Sequence, residues 1–265
     1  MNIGTLQGRL TPSRGRGIQF FPSAPGEWEK EFEIAHDIGI AHLEWVWDAE
    51  DNPLLQLDVR AQVKEAVAAT GVPVRHTDLQ FLTKMDFANC PNDTLERICE
   101  AIADIDGRAL DLPLLEGSTL LDGAMRSARL AKLATLLEIG KKHGVGICLE
   151  TDLPPTDYAK VLEDLPSLMV VYDSGNSAHA GYDVAEEWDA YAPRIANVQI
   201  KDRPKGGTTV PLGTGGTDFS TLFRKMKEAR YTGLVTLQAA RGEDGKEAET
   251  VKGYMEFVHQ HAESV

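Results

Sequence analysis

Four short apolar runs in this chain each lead into a polar residue able to do chemistry: ICLETD (147–152), VVYDSGN (170–176), NVQIKD (197–202) and VTLQAA (235–240). Those residues are Glu150, Asp173, Gln199 and Gln238. Carboxylates on neighbouring strand ends can hold a divalent cation or share a proton. Joined by two amide oxygens they would make an all-oxygen shell, which suits Mg or Mn better than Zn. A glutamine amide carries a donor and an acceptor, so Gln199 and Gln238 suit sugar hydroxyls or a structural role equally well. Glu150 and Asp173 have an alternative too: capping a helix, or pairing with a lysine such as Lys201.

Further candidates lie beside these four. His76 ends another run and can act as acid, base or donor. Glu116 ends a further one and is a second candidate for moving protons. Asn176 and His179 follow Asp173 closely and could position a substrate. Glu44 sits in HLEWVWD, where a period of two puts Glu44 and Val46 on one side and Trp45 and Trp47 on the other. An inward Glu44 with an aromatic rim would suit a sugar ring; an outward, salt-bridged Glu44 is the alternative. Arg9 shares a long loop with Arg14 and Arg16, and Lys201 and Arg203 follow a later strand. Cations gathered there suggest an anionic substrate, because an arginine fork matches phosphate or carboxylate. Glycines 206, 207, 213, 215 and 216 suggest a mobile loop that closes over a ligand.

These residues need elements to position them. Strand candidates are 3–7, 41–46, 72–77, 109–116, 145–150, 168–173, 194–200 and 233–238. Several are near-continuous apolar runs, as parallel strands covered on both faces require. Amphipathic helices lie between them. Trp28, Phe32, Ala35 and Ile38 form one stripe, and Val59, Val63, Ala66 and Val67 another. Asp93 with Glu96 makes a capping-box pattern, and Asp218 is a candidate N-cap. Lys141, Lys142, His143 and Gly144 read as a helix end. The long loops, 8–26, 78–92, 174–183 and 201–217, all follow strands, where a β/α barrel places its function. The expectation is an α/β fold: a single (β/α)8 barrel spanning 1–265, with an open doubly wound sheet as runner-up.

Composition narrows the partners. The 265 residues carry a formal net charge of −14, which disfavours nucleic acid and anionic membranes. No stretch reads as a signal peptide or a membrane span, and the three cysteines lack metal spacing. A cytoplasmic protein with reduced thiols is expected.

The runs IGTLQGRLTPSRGRGIQFFP, EWEKEFEIAHDIGIAHLEWVWD, VYDSGN, IKDRPKGGTTVPLGTGGTDF and YTGLVTLQAAR resemble the sugar-phosphate isomerase/epimerase family. These are barrels related to xylose isomerase, ketose 3-epimerases and AP endonucleases. The resemblance implies one divalent ion held by four strand ends, Glu, Asp or Glu, His, and Glu. The positions that match are Glu150, Asp173, Gln199 and Gln238, two of them amides here. It implies an isomerase or epimerase acting on a small sugar, keto-sugar or sugar phosphate through a metal-assisted enediolate. Glu150 would be ligand and base, with His76 or Glu116 as a second base. Substrate contacts would come from Arg9, Glu44, Asn176, His179, Lys201 and Arg203. A homo-oligomer is compatible with the family. The alternative reading is a non-catalytic sugar-binding or regulatory barrel that has lost a full metal site.

Overall fold

Strands that are apolar on both faces need cover on both sides, and a closed barrel wrapped in helices supplies it. A computed structural model describes residues 1–265. Its strands are β1 (Ile3–Leu6), β2 (Leu43–Val46), β3 (Val74–Asp78), β4 (Ala109–Leu114), β5 (Gly146–Thr151), β6 (Met169–Asp173), β7 (Ile195–Ile200) and β8 (Leu234–Leu237). They pair in sequence order, and β8 returns to β1 in parallel to close the barrel. The runs read from the sequence agree with these bounds to within two residues.

The helices are α1 (Glu27–Ile38), α2 (Leu57–Thr70), α3 (Asn92–Asp104), α4 (Arg126–His143), α5 (Pro155–Asp164), α6 (Ser174–Ala180), α7 (Val184–Tyr191), α8 (Phe219–Glu228) and α9 (Glu247–Glu263). None is long and apolar enough to cross a membrane. α4 ends on Gly144 at φ 72°, a left-handed turn that glycine adopts without strain. Asp218 caps α8, accepting from the Thr221 amide at 3.0 Å. The capping box expected at Asp93 and Glu96 does not form. Pro91 starts α3 early and puts Asp93 inside its first turn, where its charge suits the helix dipole. Glu96 turns instead to Lys142 and His143 at the end of α4. The expected loop 174–183 also contains α6, which Asp173 caps through the Asn176 amide at 2.8 Å.

The apolar core fills the space between the strands and the helices. Trp45 and Trp47 belong to it and are fully buried. Trp45 packs on Phe21 and Trp28, with ring centroids 5.1 and 5.7 Å away. The aromatic rim expected beside a sugar is therefore core packing. Period two sends these rings outward, Trp45 against Trp28 of α1, and leaves Glu44 inside.

Inside the barrel the middle layer is polar. Asn197 on β7 donates to Glu44 on β2 at 2.8 Å and to Asp111 on β4 at 2.9 Å, bonds that must cross the lumen. His76 Nδ1 meets the other Asp111 oxygen at 2.7 Å. Thr236 donates to Asn197 Oδ1 at 2.9 Å and lies 3.1 Å from His42 Nε2. His42 fits because residue 4 is glycine: a Cβ there would lie 2.1 Å from His42 Nε2.

Burial, helped by the nearby His76 and Arg75, pushes the His42 imidazole down to about 3. An unfolded histidine binds its proton near 6.5, roughly. Between these values the unfolded chain holds the extra proton. The stability supplied by neutral His42 is thus complete above about 6.5 and is lost as pH falls towards the folded value. In pH-resolved thermal melts, His42→Gln is expected to lose less Tm than the wild type across that window. Gly4→Ala overpacks the same layer and is expected to cost about 1–3 kcal/mol in urea unfolding.

Candidate active site

The C-terminal ends of β5 to β8 bring Glu150, Asp173, Gln199 and Gln238 to one mouth of the barrel, all buried. Lys201 lies two residues past Gln199, so it leaves β7 on the same side. Its ammonium sits between two of the four. Nζ donates to Asp173 Oδ2 at 3.0 Å and to Gln238 Oε1 at 2.7 Å, and the residue is only 8% exposed. Gln199 turns its amide nitrogen down to Glu44 Oε1 at 2.7 Å, joining the mouth to the polar layer beneath. That leaves Gln199 Oε1 and Gln238 Nε2 buried without a protein partner, one free acceptor and one free donor.

Glu150 accepts a hydrogen bond from Asn176 Nδ2. Asn176 is oriented in turn by Arg203 Nη1 at 2.7 Å, and Arg203 is anchored on the Gly207 carbonyl through Nε and Nη2, at 3.1 and 2.8 Å. Burial, and then the neighbouring Asp173, push the Glu150 carboxyl up to about 8, with Lys201 and the Asn176 bond partly offsetting the rise. Above these groups lies a cavity in two compartments of about 200 and 100 Å³. Glu116, Glu150, Asn176 and Arg203 line both, while Lys201, Gln238 and Gln80 floor the smaller one. Glu116 holds φ 49°, a strained backbone for a residue other than glycine, as is common at sites. His179 borders the larger compartment, with Nδ1 2.9 Å from the Gly207 carbonyl.

Several expected site residues do not reach this cavity. His76 is held by Asp111 in the layer below and borders the opposite end of the barrel. Asp111 outweighs burial there and raises the imidazole. Glu44 lies in the same layer, engaged by Asn197 and Gln199, and burial with Asp111 raises it to about 8. Arg9 is buried and spent on carbonyls, with Nε on Ala239 at 2.9 Å and Nη1 on Ile18. It ties the β1 loop to the end of β8 and is not free for an anion. Arg14 and Arg16 both pair with Glu27. The glycine-rich stretch expected to be a mobile lid is knitted down by Asp202, whose carboxylate accepts from the Gly213, Gly215 and Thr217 amides at 2.8–3.0 Å. Sequence reasoning passed over Asp78, the end of β3, which is buried with Oδ1 unpartnered and, chiefly through burial and then Glu44, raised well above the usual carboxylate range. Its place at a strand end was the available signal.

The four strand-end residues do not fit a divalent cation as they are arranged. An ammonium already occupies Asp173 and Gln238, and a second positive centre among the same donors would be repelled. Two neutral amides replace ligands that would add negative charge or imidazole, and the one free amide oxygen, on Gln199, is a weak donor alone. A second group of ligand-type atoms, on His76, Asp111 and Cys148, lies within 4.8 Å of one another below the mouth. Both Asp111 oxygens there are committed to His76 and Asn197.

Known proteins share this architecture. Over 143 residues the chain is 29% identical to an inosose dehydratase from Geobacillus kaustophilus, covering 47% of this chain and 46% of that protein. The chain spans from 46% to 65% of the length of the curated relatives it matches. A 3-keto-D-glucoside 4-epimerase from E. coli has a similar fold, with TM-score 0.72, 18% identity, and coverage of 98% of this chain and 99% of that one. So does a structure of the IOLI protein with a zinc atom bound, with TM-score 0.75, 14% identity, and coverage of 100% and 99%. Residues 32–258 match the model of the xylose isomerase-like TIM barrel, and the chain belongs to that family.

Proposed function

We propose that this barrel is a sugar-modifying enzyme, an isomerase or epimerase of small keto-sugars that moves a proton on a carbon next to a carbonyl. The observation that carries the reading is Glu150: a buried carboxyl at the floor of a polar cavity, held by Asn176 and raised to about 8 by burial and by Asp173. An acid or base poised near neutrality suits proton transfer. In the smaller compartment beside it the free Gln238 amide nitrogen can donate to a carbonyl oxygen. The names of the relative and of the fold neighbour point to the same class of substrate.

In the step, the Glu150 carboxylate takes the proton from the carbon. The C–H electron pair becomes a C=C bond, and the carbonyl oxygen gains the negative charge of an enediolate. Return of the proton to the former carbonyl carbon, with the proton of the adjacent hydroxyl passing to the old carbonyl oxygen as that hydroxyl carbon becomes the new carbonyl, gives isomerisation. Return to the opposite face of the original carbon gives epimerisation. Glu116, which lines the same compartments, is the candidate for the second face. The metal-assisted form of this chemistry would need a divalent ion among donors that do not suit one.

The lining favours an unphosphorylated sugar. Glu116, Asp152 and Glu187 border the larger compartment, whereas the Lys201 charge is already matched by Asp173 and Arg203 is committed to protein acceptors. A dehydration would start with the same proton removal and then expel a hydroxide from the next carbon. The relation to inosose dehydratases keeps this as the second reading.

The test is proton exchange. The protein is incubated with a panel of ketopentoses, ketohexoses and inososes in D₂O and followed by NMR. Deuterium at the carbon beside the carbonyl is expected, and Glu150→Gln should slow its uptake about 10²–10⁴-fold. Asn176→Ala is expected to lower kcat about tenfold with a smaller change in KM, since it removes one hydrogen bond to a charged group. Sugar binding with no exchange and no product in any case would instead establish a binding barrel.

A further inference from the structure

We infer that the Lys201 ammonium occupies the place and takes the role of a divalent cation in this barrel, so that the mouth binds its substrate oxygen without a metal. The catalytic half of this inference rests on the proton-transfer reading above; the metal half stands without it.

The position is the first argument. Nζ lies within hydrogen-bond distance of two of the four strand-end residues, Asp173 and Gln238, and shares the smaller compartment with Glu150. Charge is the second. Gln199 and Gln238 are neutral, so the four strand-end positions hold two carboxyl groups against one fixed cation, which is enough to keep an ammonium and too little to draw in a further doubly charged ion. The third is that the lysine is built into its place. Ser174 Oγ grips the Lys201 backbone at both its amide, 2.9 Å, and its carbonyl, 2.7 Å. Its stem lies against Gly175, where a Cβ would come within 2.7 Å of Lys201 Cγ. A lysine held this way cannot easily swing aside to admit an ion.

An ammonium has three N–H donors. Two are used by Asp173 and Gln238, and the third has no protein acceptor. Gln238 Nε2 is a second donor without a partner. Together they form a pair of donors suited to an oxygen that becomes negative as Glu150 removes the adjacent proton. Fixed donors of this kind act in the same way as the donors of an oxyanion hole.

The first experiment is read on the wild-type protein, and its control variant is checked for folding by its melt. The wild-type protein is titrated with Mn(II) to millimolar concentration, with free ion read by electron paramagnetic resonance, beside Asp173→Asn as the control. The expected result is no uptake that depends on Asp173. Stoichiometric uptake in the wild type that Asp173→Asn abolishes would overturn the inference. The second experiment builds the missing site. Gln199→His with Gln238→Glu and Lys201→Met should take up Mn(II), and the same pair retaining Lys201 should bind it at least tenfold more weakly. Equal binding by the two would remove the case for the ammonium as occupant.

The catalytic half is read by deuterium exchange after exhaustive chelation. Metal-free wild type should keep its full rate, and Lys201→Met, checked for folding by its melt, should lose about 10²–10³-fold. Loss of the wild-type rate on chelation, with recovery on adding Mn(II), would refute it. Absence of exchange with every sugar would overturn the proposed function while leaving the metal titration to decide on its own.

Discussion

A closed barrel gives a buried charge no water to turn to, so each must be matched by another group of the chain. The pairing of Lys201 with Asp173 and Gln238 is where this constraint decides the character of the mouth. Asp173 is committed twice, to the ammonium and to the first turn of α6. Through α6 it fixes Asn176, and through Asn176 it fixes Glu150. Removing the lysine would leave a buried carboxylate unmatched and would loosen the helix turn that orients the acid beside it. Charge balance, helix capping and the placement of the reactive group are one arrangement here.

The layer beneath makes that arrangement stiff. Asn197 bridges Glu44 and Asp111 across the lumen, and Gln199 carries the connection up to the mouth. Most barrels fill this level with branched apolar side chains. Here the lumen is a hydrogen-bonded lattice whose members fix one another's orientation. The two glutamines are thereby sorted by what they face. An acid below turns the amide nitrogen of Gln199 downward and leaves its oxygen free, and an ammonium beside Gln238 draws its oxygen and leaves its nitrogen free.

The fold was legible because parallel strands and their covering helices leave strong periodic signals, and all eight strand runs could be placed. The convergence of Glu150, Asp173, Gln199 and Gln238 was legible too, since the end of a strand is a position along the chain. Their partners were not. Whether Glu44 faces a ligand or Asn197, and whether Arg9 faces a phosphate or the Ala239 carbonyl, depends on contacts 153 and 230 residues away in sequence. The glycines of 206–216 misled for a related reason. Missing side chains suggest motion when read alone, but in the structure Gly213 and Gly215 give their backbone amides access to Asp202; a Cβ on Gly215 would come within 2.3 Å of its carboxylate.

The Asp202 knot also stiffens one side of the cavity. Three amides held by one carboxylate, with Arg203 clamped on Gly207, make the roof beyond β7 costly to lift. The larger compartment reaches outward on the other flank, past Asp152 and Tyr182, whose hydroxyl donates to the Asp152 carbonyl at 2.8 Å. That flank is lined by Tyr158, Tyr182 and Tyr191, so aromatic faces border the larger compartment opposite the Asp202 knot.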